Sequence, residues 1–514
     1  MENSKRAHIL LFARTAMAAA LLTCAAASAQ AYPVGPALPL DQLVEKAEVI
    51  AKVEVLSSAQ AEDPWFPAQQ GYAVFATKMR IISVLKGDLK GEVVFRHYDT
   101  DPDYKDGVEY SPQAYHFAAG RCYILFAGRT DQPGILRQLW KGHTMREDLG
   151  AVLAADNKPL EKDVTASEAI WSELTRMLTA KEPADAAYAI RHLDEMSGGD
   201  RWAGTKDFDR QKALQAIVPL IGSKQPKVAD AVLTAMAQLS PYRNEGEAVF
   251  WLATIGKGNI PGLVKREVGP NPAAKQYWKE LVAVADGSAA PATRALAVRA
   301  LGRADVKELL GPLGRWRSDP SPEVRQAAAV LMADFPVADV GAWLKTLAGD
   351  SEAKVRIGAA YAIGFAQAKP MLDVLDTLLG DTDENVRTAA GASLLSFGPA
   401  DGRVLLLAHR NDPDLKSVFV NALAEEDPKP YLDDLAEIVV KGLEPRHFWG
   451  GYGPAERSWR LLYNYLDTVP PGDLTSGKFD KHLEALSQFK SLAKEQQARL
   501  KNLLERRHPA GPAA

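Results

Sequence analysis

An acidic run between residues 99 and 109 has the residue types that bind a hard metal cation. Its carboxylates stand two or three residues apart: Asp99, Asp101, Asp103, Asp106 and Glu109. Several oxygen ligands of this kind are what Ca²⁺ requires. An EF-hand loop starting at Asp99 would need glycine at position 104 and glutamate at position 110, and both are tyrosine. The run predicts either a Ca²⁺ site of another kind or a solvated acidic loop, and no other cofactor is indicated.

Other residues of metal-binding or nucleophilic type are scattered. His97, His116 and His143 could together bind zinc, but their spacing matches no common zinc motif. Cys122 lies in the apolar run 121–126, which predicts a buried core thiol. The sequence has no Gly-x-Ser-x-Gly, His-Glu-x-x-His, Walker or Cys-x-x-Cys motif. These patterns favour a protein without catalysis of its own, and an enzyme or enzyme accessory is the alternative.

A glycine-rich aromatic segment at 446–454 is a candidate partner-binding element. It presents Phe448, Trp449 and Tyr452 among glycines, and aromatic side chains dominate recognition hot spots. The alternative is an irregular connection between helices. The following Trp459, Leu462 and Tyr463 have helical spacing, which predicts an apolar face packed in a core.

A period of 31 residues organises the chain between residues 286 and 425. Asp319, Asp350, Asp381 and Asp412 recur at this spacing. Five residues after each of the first three comes a valine–arginine pair: Val324-Arg325, Val355-Arg356 and Val386-Arg387. A fixed period in this range predicts a solenoid of stacked helix pairs.

Each period fits two short helices. In the first helix, apolar residues such as Val340, Leu344 and Leu347 share one face. Gly349 and Gly380 suit helix ends, and the aspartate-containing turns that follow suit a new helix start. The second helix carries the valine–arginine pair and then small residues, which allow close helix approach. Solenoids of this kind present long surfaces rather than a single cleft.

These residues resemble the HEAT-repeat family in its short form, similar to the repeats of phycobilisome lyase proteins. The resemblance implies that aspartate and arginine side chains bond from repeat to repeat. It assigns this structural role to Asp319, Arg325, Asp350, Arg356, Asp381 and Arg387. It also implies a surface that binds a protein or peptide partner. The alternative for these aspartates and arginines is that they form ordinary surface ion pairs, each of which would contribute little to stability.

Residues 32–160 have a different pattern. Short runs with β-type alternation, such as Val49–Leu56 and Tyr72–Val84, predict a small antiparallel barrel or sandwich. The module resembles OB-like or netrin-like domains of exported proteins. Netrin-like inhibitors begin with a cysteine, which this chain lacks at Tyr32. The alternative function for this domain is the binding of a glycan, a metal ion or a small ligand.

Residues 1–31 have the features of a secretion signal. Lys5, Arg6 and Arg14 precede an alanine-rich apolar stretch and small-residue cleavage sites before Tyr32. Cleavage predicts a periplasmic or extracellular protein. Leu-Leu-Thr-Cys24 faintly resembles a lipobox, so an outer-membrane lipoprotein is the alternative.

The sequence thus predicts a mainly α protein: signal 1–31, β-rich domain 32–160, HEAT-like solenoid 161–440 and helical cap 441–514. A net charge of −4 argues against a nucleic-acid partner. No later segment is apolar enough for a membrane span. The leading function is an exported scaffold that binds a protein or peptide, and the oligomeric state stays open.

Overall fold

The computed structural model describes most of the chain. The described residues are 34–35, 39–69, 71–104, 114–140, 143–144, 150–199, 208–237, 271–409, 412, 415, 418, 420, 428–441, 454–489, 492 and 494–507. By internal contacts the chain divides into two compact units, Met1–Leu220 and Ile221–Ala514. The proposed signal peptide lies outside the described residues.

The first unit is built on a six-stranded sheet that closes into a barrel. Its strands are β2 (Val49–Gln60), β3 (Tyr72–Lys86), β4 (Glu92–Thr100), β5 (Cys122–Arg129), β6 (Ile135–Arg137) and β8 (Ala151–Leu153). The order is β2-β3-β4-β6-β5-β8, and β5 also pairs with β2. This second pairing closes five strands on themselves, and a five-stranded barrel is also the core of the OB fold.

One feature of the barrel differs from the prediction of an antiparallel sheet. The pair β4–β6 is parallel, so the sheet is mixed. The short strands β1 (Val34–Gly35) and β7 (His143–Thr144) form a further parallel pair. β5 does not lie next to β4, because β6 occupies the position between them. There β6 is parallel to β4 and antiparallel to β5.

Successive side chains of β2 point alternately into the barrel and to the outer face of the sheet. Val49, Ala51 and Val53 point into the barrel core, where Phe95 and Leu125 also lie. Lys52, between these residues, points to the other side of the sheet because successive side chains alternate. Cys122 is buried, as the sequence predicts, and burial raises the pKa of its thiol.

Helices complete the first unit. They are α1 (Leu40–Lys46), α2 (Ala166–Met177), α3 (Pro183–Asp194) and α4 (Arg210–Ile217). Thr165 starts α2 with a reciprocal capping box to Glu168. The unit ends at residue 220, later than the predicted boundary at 160, and one reason is that α2 is tied to β2. The Lys52 Nζ atom lies 2.8 Å from Glu173 Oε1 of α2.

The second unit is helical, which confirms the predicted mainly α architecture with a solenoid of helix pairs. Its first helices are α5 (Pro226–Ala237), α6 (Pro272–Gln276), α7 (Trp278–Asp286), α8 (Pro291–Ala300), α9 (Leu310–Trp316), α10 (Pro322–Leu331), α11 (Val337–Leu347) and α12 (Ala353–Phe365). They continue with α13 (Leu372–Leu379), α14 (Glu384–Leu395), α15 (Gly398–Ala408), α16 (Leu432–Lys441), α17 (Pro454–Thr468), α18 (Pro471–Thr475), α19 (Asp480–Gln488) and α20 (Lys494–Arg507). None of the described helices combines the length and apolar composition needed to cross a membrane.

The second helices of successive pairs form one layer. In chain order α5, α8, α10, α12 and α14 each pack on the next. Small residues make this close stacking feasible. A Cβ atom built at Gly358 of α12 would lie 2.9 Å from the Gln326 carbonyl oxygen of α10, so a side chain there would force the helices apart. Ser321 and Asp383 accept hydrogen bonds from backbone N–H groups of the next helix start, as their types predict.

The last helices form a separate core. Trp459, Leu462 and Tyr463 of α17 are buried there, packed against α16 and α19. The Trp459 indole N–H donates to the Leu486 carbonyl at 3.0 Å. This helical aromatic face is therefore core, in agreement with the sequence interpretation.

Candidate binding surface

An arginine–aspartate ladder runs along the repeats between residues 294 and 412. The two nitrogens Nε and Nη2 of Arg325 lie 2.8 and 2.9 Å from the Asp350 carboxylate oxygens. Arg356 binds Asp381 in the same way, at 2.7 and 2.8 Å. Each pair joins one repeat to the next. Each side chain is at most 14% exposed, so these are not ordinary surface pairs.

The ladder extends by one rung at each end. Upstream, Arg294 contacts Asp319. Downstream, Arg387 Nε lies 3.0 Å from Asp412 Oδ2. Arg294 stands 31 residues before Arg325, so the period of the sequence places it in phase with the arginines of the ladder, and it has the equivalent partner.

Each rung also fixes the turn within its own repeat. The Arg356 Nη1 atom donates to the Asp350 carbonyl at 2.9 Å, and the Asp350 carboxylate accepts the Glu352 N–H at 2.9 Å. Arg325 and Arg387 make the same bond to the carbonyls of Asp319 and Asp381, each at 2.8 Å. One guanidinium therefore orders its own turn and the neighbouring aspartate at once.

The charges of the ladder stabilise each other. Burial alone would raise the pKa of Asp381, but hydrogen bonds from Arg356 and the Asp383 N–H hold it below its usual value. The hydrogen bond to Asp381 raises the pKa of Arg356. Both groups therefore stay ionised at neutral pH, and a charge-assisted bidentate pair of this kind is strong and directional.

We expect the Arg356–Asp381 pair to have a coupling free energy of about 2 kcal/mol, because it is bidentate and partly buried. The double-mutant cycle Arg356→Met, Asp381→Asn measures it from the stability of the repeats, read by amide hydrogen exchange in α12 and α14. The control is Lys369–Asp401, whose lysine is 69% exposed and which should couple by under about 1 kcal/mol. Equal coupling in the two cycles would contradict a special role for the ladder.

The second helix of each pair exposes polar side chains on the side opposite its buried valine, which is Val324, Val355 or Val386 in successive repeats. At about 100° per residue, Gln326 lies on the opposite side of α10 from Val324. We define the polar row by its residues: Arg299, Glu323, Gln326, Lys354, Asn385 and Thr388. All are partly or fully exposed. They bridge helices, since Lys354 Nζ lies 2.8 Å from Glu323 Oε1. Hydrogen bonds from Lys354, from the Ser321 hydroxyl and from a backbone N–H together lower the pKa of the Glu323 carboxyl to about 2.

The acidic run contributes no metal cluster among the residues that the structure describes. Asp99 lies 2.5 Å from His116 Nδ1, and Asp101 accepts the Asp103 N–H at 3.0 Å in a local turn. Within the described ranges, no group of three or more metal-binding side chains comes together. Asp106 and Glu109 lie outside the described residues, so Ca²⁺ binding stays a prediction.

The three candidate zinc histidines have separate environments where they are described. His97 is buried in the barrel, whereas His116 is 57% exposed. Only the backbone of His143 is described. Phe448, Trp449 and Tyr452, the candidate partner-binding aromatics, lie outside the described residues.

His97 is held in one neutral tautomer by its partners. Its Nδ1 atom lies 2.9 Å from the Tyr98 carbonyl oxygen, so it carries the proton and donates. Its Nε2 atom therefore accepts from the Thr77 hydroxyl at 2.7 Å, and Thr77 in turn contacts Ser58 at 2.7 Å. Burial lowers the pKa of His97 to about 4.

We expect this histidine to make the first unit acid-sensitive. Because its pKa is lower in the folded than in the unfolded chain, the unfolded chain binds more protons between about pH 6.5 and 4. The contribution of neutral His97 to the free energy of unfolding is fully present above about pH 6.5, and about 3 kcal/mol of it is lost as the pH drops toward 4. Hydrogen exchange in β3 and β4, corrected for intrinsic rates, should show this loss in the wild type and not in His97→Gln. The same pH dependence in both would contradict the assignment.

One polar cluster of the first unit was not found from the sequence. Lys52 is fully buried, and its partners come from distant positions, Asp156 at 3.4 Å and Glu173 at 2.8 Å. Arg176 contacts both carboxylates. The only sequence signal was a lysine in an apolar strand, which alone does not identify its partners.

Comparisons with known proteins agree with this repeat geometry. A family model described as HEAT repeats matches residues 279–363 and 340–424. No curated protein matches the chain in sequence.

The chain also matches several solved structures at low sequence identity. Escherichia coli YibA is 14% identical, with 59% of this chain and 98% of that chain covered and a TM-score of 0.31. A computationally designed armadillo repeat protein for modular peptide recognition is 19% identical, with coverages of 44% and 98% and a TM-score of 0.26. The karyopherin Kap121p bound to the SUMO protease Ulp1p is 13% identical, with coverages of 68% and 44% and a TM-score of 0.29.

All three TM-scores are low, so the assignment depends on the family match and on the ladder. The matched range 279–424 contains the four rungs and the stacked helices α8, α10, α12 and α14. The second unit of this chain therefore contains a run of HEAT repeats.

Proposed function

We propose that the HEAT repeats form a non-catalytic scaffold that binds a protein or peptide partner through the polar row. The ladder carries this proposal. Four rungs, each bridging neighbouring repeats, hold the second helices at a constant step, so Glu323, Lys354 and Asn385 of the polar row, each one period apart, are presented at regular intervals along the stack. A preorganised surface loses little conformational entropy on binding, which favours recognition of an extended partner.

The composition of the row favours a polar, hydrogen-bonding partner over an apolar one. Gln326 and Thr388 lie at equivalent positions two periods apart, with the buried Ile357 at the position between them, and both can donate and accept hydrogen bonds. Glu323 and Lys354 add one charge of each sign. An extended peptide, whose backbone groups repeat along its length, is the partner that such a spaced row fits best.

Site-specific photocrosslinking in the native cell tests this proposal. A photoreactive amino acid at position 326 or 388 should give an adduct with the same partner, identified by mass spectrometry. Matched positions are the exposed Thr346 and Thr377 on the first helices. The purified partner should then bind the wild-type chain, and Gln326→Ala with Thr388→Ala should weaken binding about tenfold or more.

Other outcomes would count against the polar row. Adducts formed only from positions 346 and 377 would place the binding surface on the first helices. Absence of adducts from all four positions, in cells where the protein is folded, would contradict binding through either layer of the repeats.

We also propose that the protein acts outside the cytoplasm. The support is the sequence of residues 1–31, with its basic start, apolar stretch and small-residue cleavage sites. The intact mass of the protein from its own cells tests this. A free N-terminus near Tyr32 supports cleavage and release, an acylated Cys24 supports a lipoprotein, and a full-length chain in the cytoplasm contradicts export.

A further inference from the structure

The first unit contains an aromatic cavity that the HEAT-repeat function does not use. Its volume is about 210 Å³. It lies beside β5, β8 and α3, which supply Tyr123, Leu153 and Tyr188 respectively. The described residues that line it are Tyr115, His116, Phe117, Tyr123, Ala151, Leu153 and Tyr188.

The walls of this cavity are held in place by their neighbours. The rings of Tyr115 and Phe117 are nearly parallel, with centroids 5.7 Å apart, and Tyr123 stands perpendicular to Phe117 at 4.9 Å. The Tyr188 hydroxyl accepts the Leu153 N–H at 3.1 Å. A cavity with fixed walls binds a ligand without first having to be ordered, which favours affinity.

The main chain is shaped to admit one of these rings. A Cβ atom built at Gly150 would lie 2.0 Å from the Tyr115 hydroxyl oxygen. Tyr115 can therefore occupy its position only because residue 150 has no side chain. The neutral His97 ring also packs perpendicular to Phe117, with centroids 4.9 Å apart.

The lining selects the chemistry of the ligand. Four aromatic rings and two aliphatic side chains favour a flat, apolar body, since apolar contact area contributes most of the binding free energy in such sites. Two carboxylates that the structure describes near the lining already have basic partners, since Asp99 contacts His116 and Asp185 contacts Arg121. An organic cation would find no unpaired carboxylate among them, and a sugar would lose hydration at its hydroxyls against apolar walls.

The volume sets the size of the ligand. Sites for drug-sized molecules measure about 300–1,000 Å³. At about 210 Å³, this cavity is suited to a single substituted ring. The half-exposed His116 and the Tyr188 hydroxyl, which accepts the Leu153 N–H, supply polar atoms to its lining. We propose that the cavity binds a small neutral aromatic molecule with one ring and one polar substituent.

Titration of the full-length protein with p-cresol tests the proposal by calorimetry and by protein-observed NMR. We expect saturable binding, with shifts at the methyl groups of Ala151 and Leu153. Ala151→Leu fills the cavity and should lower the affinity about tenfold or more. Ala59→Leu makes the same change at an exposed position of β2 and should bind as the wild type does.

Several outcomes would overturn the proposal. They are failure of p-cresol to saturate, equal affinity in Ala151→Leu, or tighter binding of tetramethylammonium or glucose at the same methyl groups. Circular dichroism and thermal unfolding verify that Ala151→Leu is folded. If Ala151→Leu is not folded, Leu153→Phe takes its place, because it fills the same cavity from another position of β8. Its affinity for p-cresol then decides whether the ligand binds in the cavity.

Discussion

Val355→Asp is expected to unfold the central HEAT repeats at neutral pH. Val355 is 0% exposed, as are its counterparts one period away, Val324 and Val386. A carboxylate in such an apolar helix interface loses its hydration, which costs about 4–5 kcal/mol or more. Because each repeat contacts only its neighbours, the loss should be greatest in α10, α12 and α14.

Hydrogen exchange measured by mass spectrometry locates this loss in the full-length chain. Peptides from residues 322–395 should lose protection, while β2 and β3 in the first unit keep theirs. The matched control is Val404→Asp, since Val404 is 61% exposed and its substitution should change stability by less than about 1 kcal/mol. Near-wild-type protection in Val355→Asp would show that the 31-residue register is wrong.

Lys52→Met is expected to destabilise the first unit by about 3–5 kcal/mol. The lysine ammonium lies 2.8 Å from Glu173 Oε1, and neither side chain is more than 2% exposed. Methionine keeps most of the apolar stem but leaves the Glu173 carboxylate without its fully buried cation. The remaining partners of Glu173 are the Ala155 N–H, at 2.7 Å, and Arg176.

The double variant Lys52→Met, Glu173→Gln decides whether the charge is the cause. Removing both buried charges should restore most of the lost stability, because an apolar or neutral pair avoids the desolvation cost. Exchange rates of β2 and β5 measure both variants. If the double variant is less stable than Lys52→Met alone, packing of the lysine stem rather than charge pairing explains the effect.

The repeats were predictable from local sequence because their contacts recur at a constant interval. Val324, Val355 and Val386 lie in one register, and the 31-residue spacing predicted both helices of each pair. Asp350 and Arg325 are 25 residues apart in sequence, yet the period places them at the same level of neighbouring repeats. The structure joins them for the reason that the HEAT resemblance implied.

The barrel was less predictable because its pairings are not periodic. The sequence indicated the strands β2 to β6, but no local signal specified that β6 would run parallel to β4. Lys52 meets Asp156 and Glu173, which lie more than 100 residues later in the chain. The aromatic cavity likewise combines Tyr115 and Tyr188, which belong to a loop and to a helix that the sequence analysis assigned to the solenoid.

The sequence by itself therefore determined the helix pairs, their spacing and the residues of the ladder. Periodic apolar patterns and turn residues specify a helix or a turn within a few positions. Because each repeat carries the same pattern, each forms the same helix pair. Only the tertiary structure decided the closure of the barrel, the burial of Lys52 and the neutral state of His97. Each of these depends on desolvation by segments distant in the chain, and desolvation is a property of the assembled fold rather than of any short stretch of residues.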